Sequence, residues 1–263
     1  MMIPFTLTYR KYGIRRKVSG QIPGSWNDLT ERQYLAAVDV MTGKVNDRSF
    51  MAGMFMIPES LAGALDPWYE YVLAGRLSFL KNRKPMASHF FIRRIGRLYA
   101  PENELQGVSL QQFMTVDTFF ERFARVYEEG KMQYDILDSM IGALYLRKGQ
   151  TYFLEDSRHR LVDIDQNAVE AGKHGIPERM GIFLNWVMIR VWLSKAYPSL
   201  FPESDEKEKR SDSKKKKNNW LAVFDAFVDD HIADMEKYQK MECMDAFRIM
   251  NRRIINYKKS KIR

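Results

Sequence analysis

The sequence predicts a mainly α protein, an irregular multi-helix bundle with a small N-terminal β-hairpin. Apolar residues recur at helical spacing along most of the 263 residues, while a period of two is confined to the first twenty. The composition, 45% hydrophobic and 29% charged, is that of a globular chain and too apolar for a wholly disordered one. Such a length holds one large domain or two small ones and buries a core without staples.

Ile3, Phe5, Leu7 and Tyr9 alternate with Pro4, Thr6, Thr8 and Arg10, and the alternation continues beyond a Tyr12-Gly13 break through Ile14, Arg16 and Val18. The expected hairpin is marginal alone, so it must lie on the helical body or add to a neighbouring chain's sheet, the first being the expectation. Thr30 and Gln33 form a capping-box pattern, and Leu29 and Tyr34 a hydrophobic staple, at the start of a helix that ends at Gly43. Further helices are expected over 47–56, 59–65 and 67–81. Ser109 to Gln112 repeats the capping pattern, and a helical pair is expected over 116–129 and 132–147, split by Gly130. Residues 148–175 read as irregular, with short strands at Tyr152 to Leu154 and Leu161-Val162. Pro177 opens an apolar helix that stops at Pro198. Residues 203–219 contain no hydrophobic side chain and read as a solvated loop. Helices over 220–236 and 239–257 close the chain. The expected organisation is a hairpin arm (1–22), a helical domain (23–201), a charged flexible loop (202–219) and a C-terminal helical pair packing on the main domain (220–263).

Charge is distributed in blocks. The net charge is +9. Three segments contain no acid at all: residues 1–20, with Arg10, Lys11, Arg15, Arg16 and Lys17; residues 76–97, with Arg93, Arg94 and Arg97 at their end; and residues 248–263, with Arg252, Arg253, Lys258 and Lys259. Residues 101–138 and 220–247 are acidic in balance. Such polarity suits nucleic acid, with Tyr9, Tyr12, Phe90, Phe91 and Tyr257 as candidate stacking surfaces, but equally pairing between copies or plain solubility.

Several chemistries lack their residues. Cys243 is the only cysteine, which excludes intramolecular disulfides and cysteine-rich metal sites and suits a reducing compartment. Met1 to Tyr9 is too short for a targeting segment, and residues 181–193, interrupted by Asn185 and Arg190, are too few to cross a bilayer; a soluble protein with no membrane partner is expected. Asp163, Asp165 and Asn167 open like a calcium loop, but Ala168 and His174 occupy the positions that need glycine and a carboxylate. The four histidines are scattered; Asp230, His231 and Asp234 could offer metal ligands from one helix, but His231 lies on its apolar stripe and reads as a core histidine. No phosphate-cradling glycine loop and no nucleophile elbow occurs. Adjacent acids such as Glu128 and Glu129 point about 100 degrees apart on a helix and share no substrate. The expectation is a protein without catalytic residues, cofactor or metal. Its sixteen methionines, clustered at Met51, Met54 and Met56, suit core filling or an adaptable binding surface.

Three stretches, with the region from Trp192 to Phe201, carry a resemblance that spans most of the chain. They are Ser25-Trp26-Asn27-Asp28-Leu29-Thr30-Glu31-Arg32-Gln33-Tyr34, Ile141-Gly142-Ala143-Leu144-Tyr145-Leu146-Arg147, and Ala246-Phe247-Arg248-Ile249-Met250-Asn251-Arg252-Arg253-Ile254. The chain thereby resembles helical tail-morphogenesis proteins of tailed phages that look similar to tail assembly chaperones. The resemblance implies a non-enzymatic protein that binds other phage structural proteins in the cytoplasm of a bacterial host during assembly, keeping them soluble or in register. The basic balance and the Lys-rich loop depart from that family's pattern and leave room for retention in the virion near packaged DNA.

Overall fold

The computed structural model describes residues 2–12, 14–42, 47–63, 75, 77–82, 84–154, 158–202, 220–228 and 234–260, without the side chains of Arg10, Lys11, Asp47, Leu221 and Ala222. These residues contain ten α-helices and seven strands, so the mainly α class with an N-terminal hairpin is observed. The chain divides into two compact units, Met1–Ala87 with Gly175–Val191, and Ser88–His174 with Trp192–Arg263. The expected segment 23–201 is therefore shared between both units, and the expected C-terminal pair belongs to the second.

In the first unit, β1 (Met2–Lys11) and β2 (Ile14–Pro23) form the expected hairpin in antiparallel register, Lys11 opposite Ile14. Its base carries the apolar set: Phe5, Leu7 and Ile22 are buried, and Phe5 meets Phe55 edge-on at 5.3 Å. The hairpin therefore lies on the helices of its own unit. Helix α1 (Glu31–Met41) begins with the complete capping box: the Gln33 amide donates to Thr30 Oγ1, and the Thr30 amide donates to Gln33 Oε1 at 3.0 Å. Gln33 is fully buried and its Nε2 donates to the Met54 carbonyl at 2.8 Å, tying α1 to α2 (Asp47–Phe55). α3 (Glu59–Ala62) follows. Tyr34 donates to the Gly181 carbonyl at 2.6 Å on α7 (Ile176–Ala196), whose residues up to Val191 belong to this unit. Of the expected helix over 67–81, only Gly75 and 77–81 are described; Ser78–Lys81 is a 3-10 turn, and the rest lies outside the described residues.

The second unit contains β3 (Arg94–Ile95), β4 (Leu98–Tyr99) and β5 (Leu146–Arg147) in one antiparallel sheet of order β3-β4-β5, which the sequence reading missed. α4 (Leu110–Glu128) starts at the Ser109 cap, where the Gln112 amide donates to Ser109 Oγ at 3.1 Å, six residues before the expected start. α5 (Tyr134–Leu144) stops short of the expected 147 because Tyr145 turns extended and feeds β5. β6 (Gln150–Thr151) pairs with β7 (Arg160–Leu161) in parallel, each one or two residues before the expected strand. α6 (Ile164–Gly172) occupies a stretch expected to be irregular. Asp163 is its cap, accepting the Gln166 amide at 2.8 Å, so the acids that open like a calcium loop start a helix.

The C-terminal end of α5 is buried, and its carbonyls lack helical partners. Side chains supply the donors. Asn167 donates to Gly142 O at 3.1 Å, Tyr152 to Ala143 O at 2.9 Å, and Gln112 to Ala143 O and Leu144 O at 3.2 Å each. Gly142 leaves no room for more: a Cβ there would lie 2.7 Å from both Ala168 N and Ile164 O of α6.

The last segments depart from the expected pair. α8 (Trp220–Val228) is followed by α9 (Met235–Lys240) and α10 (Cys243–Ser260), broken at Met241 and Glu242. Trp220, Phe224 and Phe227 of the expected stripe are buried, Met235 is half-buried on the next helix, and His231 lies outside the described residues, as do 203–219. Phe113, Phe201, Trp220 and Phe247 form an aromatic cluster with ring centroids 4.7 to 6.2 Å apart. Trp220 Nε1 donates to the buried Asp117 carboxylate at 2.7 Å.

Candidate functional site

The small sheet of the second unit edges a groove of about 480 Å³. Its floor includes Val108, Leu144 and Leu146, its rim Tyr99, Arg147 and Lys148. Cross-strand register explains the layout. Arg94 lies opposite Tyr99, and Tyr99 opposite Leu146, so these three share one face; Ile95 and Leu98, on the other face, are buried. The Arg94 guanidinium sits 5.3 Å from the Tyr99 ring centroid, and Tyr99 remains 45% exposed.

The rest of the rim is held by backbone geometry and by charge. Gly96 takes φ +56 in the turn between β3 and β4, and a Cβ there would meet His174 and Glu170. Glu170 accepts the Arg97 amide at 3.3 Å and pairs with Lys173 at 3.0 Å; the Lys173 hydrogen bond holds its carboxyl below the ordinary value. Arg147 donates to Asn167 Oδ1 at 3.2 Å and Gln166 O at 3.3 Å, which fixes the guanidinium, while neighbouring Lys148 is exposed. Beside the groove's Gln106 and Gly107, Glu104 and Leu105 both take φ +58 and Gly107 takes φ +73. Each non-glycine residue in that region costs on the order of 1 kcal/mol, and such strain gathers at ligand clamps.

The expected site residues fall in both units. Arg15, Arg16 and Lys17 are exposed at the hairpin tip of the first unit, whereas the side chains of Arg10 and Lys11 lie outside the described set. Arg93, Arg94 and Arg97 lie in the second unit, but Arg93 is engaged with Glu102 at 3.2 Å and Asn103 at 2.9 Å. Arg252, Lys258 and Lys259 are exposed on α10. Arg253 joins α10 to α8, donating to Phe227 O at 2.7 Å with its guanidinium over the Phe227 ring. Phe90 and Phe91, expected as stacking surfaces, are buried in the core. Tyr12 and Tyr257 are exposed. Sequence reading passed over Tyr99, Arg147 and Lys148; the signal was the pair of Gly-centred turns at Gly96 and Gly149, both at positive φ, which bring these residues together.

The Cys243 thiol is buried and burial pushes its pKa up; burial does the same to the Tyr152 phenol. Among the described residues, no three His, Cys, Asp or Glu side chains gather to hold a metal, and no helix is long and apolar enough to cross a membrane. Asp229, Asp230 and His231 lie outside the described residues. Compared with protein-family models, curated proteins and solved structures, the chain matches none.

Proposed function

We propose that this chain is a non-enzymatic phage morphogenesis protein, tail assembly chaperone-like or a virion structural protein, which acts by binding other phage structural proteins or copies of itself. One observation carries the reading: each of the three stretches that bear the resemblance joins distant parts of its unit. From the first stretch, Trp26 donates to Phe79 O at 3.1 Å and Tyr34 to Gly181 O. From the second, Gly142 seats α5 on α6, and Tyr145 donates to Ile92 O at 2.6 Å. From the third, Phe247 fills the aromatic cluster and Asn251 accepts the Ser199 amide at 3.2 Å. A likeness in such residues is a likeness of scaffold, and scaffolds present surfaces. Co-expression with each structural protein encoded beside it, followed by size-exclusion chromatography with light scattering, tests the reading. A stoichiometric complex is expected; a strict monomer in every mixture overturns it.

A second reading, a basic nucleic-acid-binding accessory protein, is favoured by the groove that Tyr99, Arg147 and Lys148 line, with the Arg94 guanidinium over the Tyr99 ring. It requires an affinity that falls steeply as salt rises. A flat salt response ends it.

A further inference from the structure

We propose that the groove edged by Tyr99 and Lys148 is a binding site for single-stranded nucleic acid, one base stacking on the Tyr99 ring and the adjoining phosphate held at Lys148. The proposal rests on the second reading above and gives it a location that none of the three basic sequence blocks supplies.

Stacking requires an aromatic ring that is both displayed and immobile. Tyr99 is displayed because strand alternation turns it away from the buried Ile95–Leu98 face. It is held because β4 is paired on both sides and Arg94 lies over its ring. Phosphate capture requires an accessible cation beside that ring. Lys148 is exposed next to the anchored Arg147, and among the described residues lining the groove none is acidic. The volume, about 480 Å³, is in the range of ligand sites, roughly 300 to 1,000 Å³. Gln106 and Gly107 line one side, and the strained Glu104 and Leu105 lie next to them in the chain, a conformation the fold maintains beside the groove at a cost.

Single strands suit this site better than the alternatives. A duplex keeps its bases stacked on one another and offers no face to Tyr99. An acidic peptide would satisfy Lys148 but leave the Tyr99–Arg94 platform without a planar partner.

Fluorescence anisotropy with a short labelled oligothymidylate tests the proposal on the full chain. Binding is expected with a clear salt dependence. Tyr99→Ala should weaken it about tenfold and leave the salt slope unchanged, because stacking on a base releases no counterions. Tyr99→Phe should restore it. Lys148→Ala should weaken binding and reduce the magnitude of the salt slope by about 0.7, the value for one phosphate contact on a single strand. Replacing the bases by abasic sites, with the chain untouched, should reproduce the Tyr99→Ala loss and guards against a misfolded variant. Binding that ignores both substitutions overturns the site and leaves the second reading standing elsewhere on the molecule. Equal affinity for the abasic strand, with displacement by polyglutamate, overturns stacking and assigns the groove to an acidic protein. No binding at about 50 mM salt overturns both the site and the reading.

Discussion

The hairpin of the first unit and the three-stranded sheet of the second both carry arginines beside tyrosine on antiparallel strands, and they are held by opposite means. The hairpin has ten residues per strand, maintains its own ladder and packs only its base, so residues 14–17 are exposed on both faces. The small sheet has two residues per strand, too few to persist alone. It is fixed from outside: Tyr145 donates to Ile92 O, the Arg97 amide to Glu170, and β5 is the continuation of α5. Cations at the hairpin tip contribute a field to their surroundings. Cations in the small sheet are placed relative to a ring and a groove, which is the condition for selecting a ligand.

One substitution, made in the hairpin and in the helix that continues into β5, tests this difference most severely. At Gly142 a new Cβ meets backbone atoms of α6 at 2.7 Å, and backbone cannot yield without moving the helix. Gly142→Ala should cost about 3 kcal/mol, the upper end for overpacking, and disturb the Asn167–Arg147 pair behind the groove. At Gly20 the same Cβ meets the Phe5 ring at 2.8 Å, a side chain that can rotate away. Gly20→Ala should cost about 1 kcal/mol. Urea midpoints measure both, and equal losses would erase the contrast.

The same contrast explains what sequence alone revealed. Long periodic elements were legible, because each residue of the hairpin, α1 and α7 repeats one rule over several turns or pleats. The capping box at Thr30 and the cap at Ser109 were legible too, although the second marked a helix start earlier than the apolar pattern suggested. The small sheet was not, since two-residue strands have no period; their pairing depends on Tyr145, Glu170 and β5, up to 73 residues away in sequence. α6 was hidden because its acids match the opening of a calcium loop as well as they match a cap. For the site, sequence identified Arg94 as a cation but missed Tyr99, whose exposure and neighbours follow from that unread pairing. It could not separate Arg253, consumed in joining α10 to α8, from the exposed Arg252 beside it.

A smaller perturbation addresses the tether itself. Tyr145→Phe removes the donor to Ile92 O and leaves that carbonyl buried, a loss of about 1–2 kcal/mol. Because the tether holds the segment before β3, hydrogen exchange of the 92–99 amides should accelerate more than that of α4. At the hairpin turn the sign reverses. Tyr12 takes φ +52 and is 90% exposed, a conformation asparagine tolerates better than tyrosine. Tyr12→Asn should therefore stabilise the first unit by about 0.5 kcal/mol, read from its thermal midpoint.

The smallest expected effect is the pH dependence contributed by the flanks of the small sheet. His89 is half-buried against Phe91, with ring centroids 4.5 Å apart, and burial followed by the Arg93 charge lowers its pKa from the ordinary 6.5. The folded state thus disfavours the imidazolium, while the unfolded chain titrates normally. Above pH 6.5 both states are neutral and nothing is lost; as pH falls through 6.5 the unfolded state takes up the proton first, and stability declines until the folded imidazole protonates too. Glu170 acts in a separate window. Its lowered carboxyl contributes stability that is complete above the ordinary 4.5 and is lost as pH falls through the folded value. Urea midpoints followed from neutral pH downward should therefore show two declines. His89→Gln should remove the upper one, and Glu170→Gln should reduce the lower one, to which the lowered Asp28 and Glu236 carboxyls also contribute. An upper decline that survives His89→Gln, together with a lower one unchanged by Glu170→Gln, would show that neither group, and so neither flank of the small sheet, is held as the contrast with the hairpin requires.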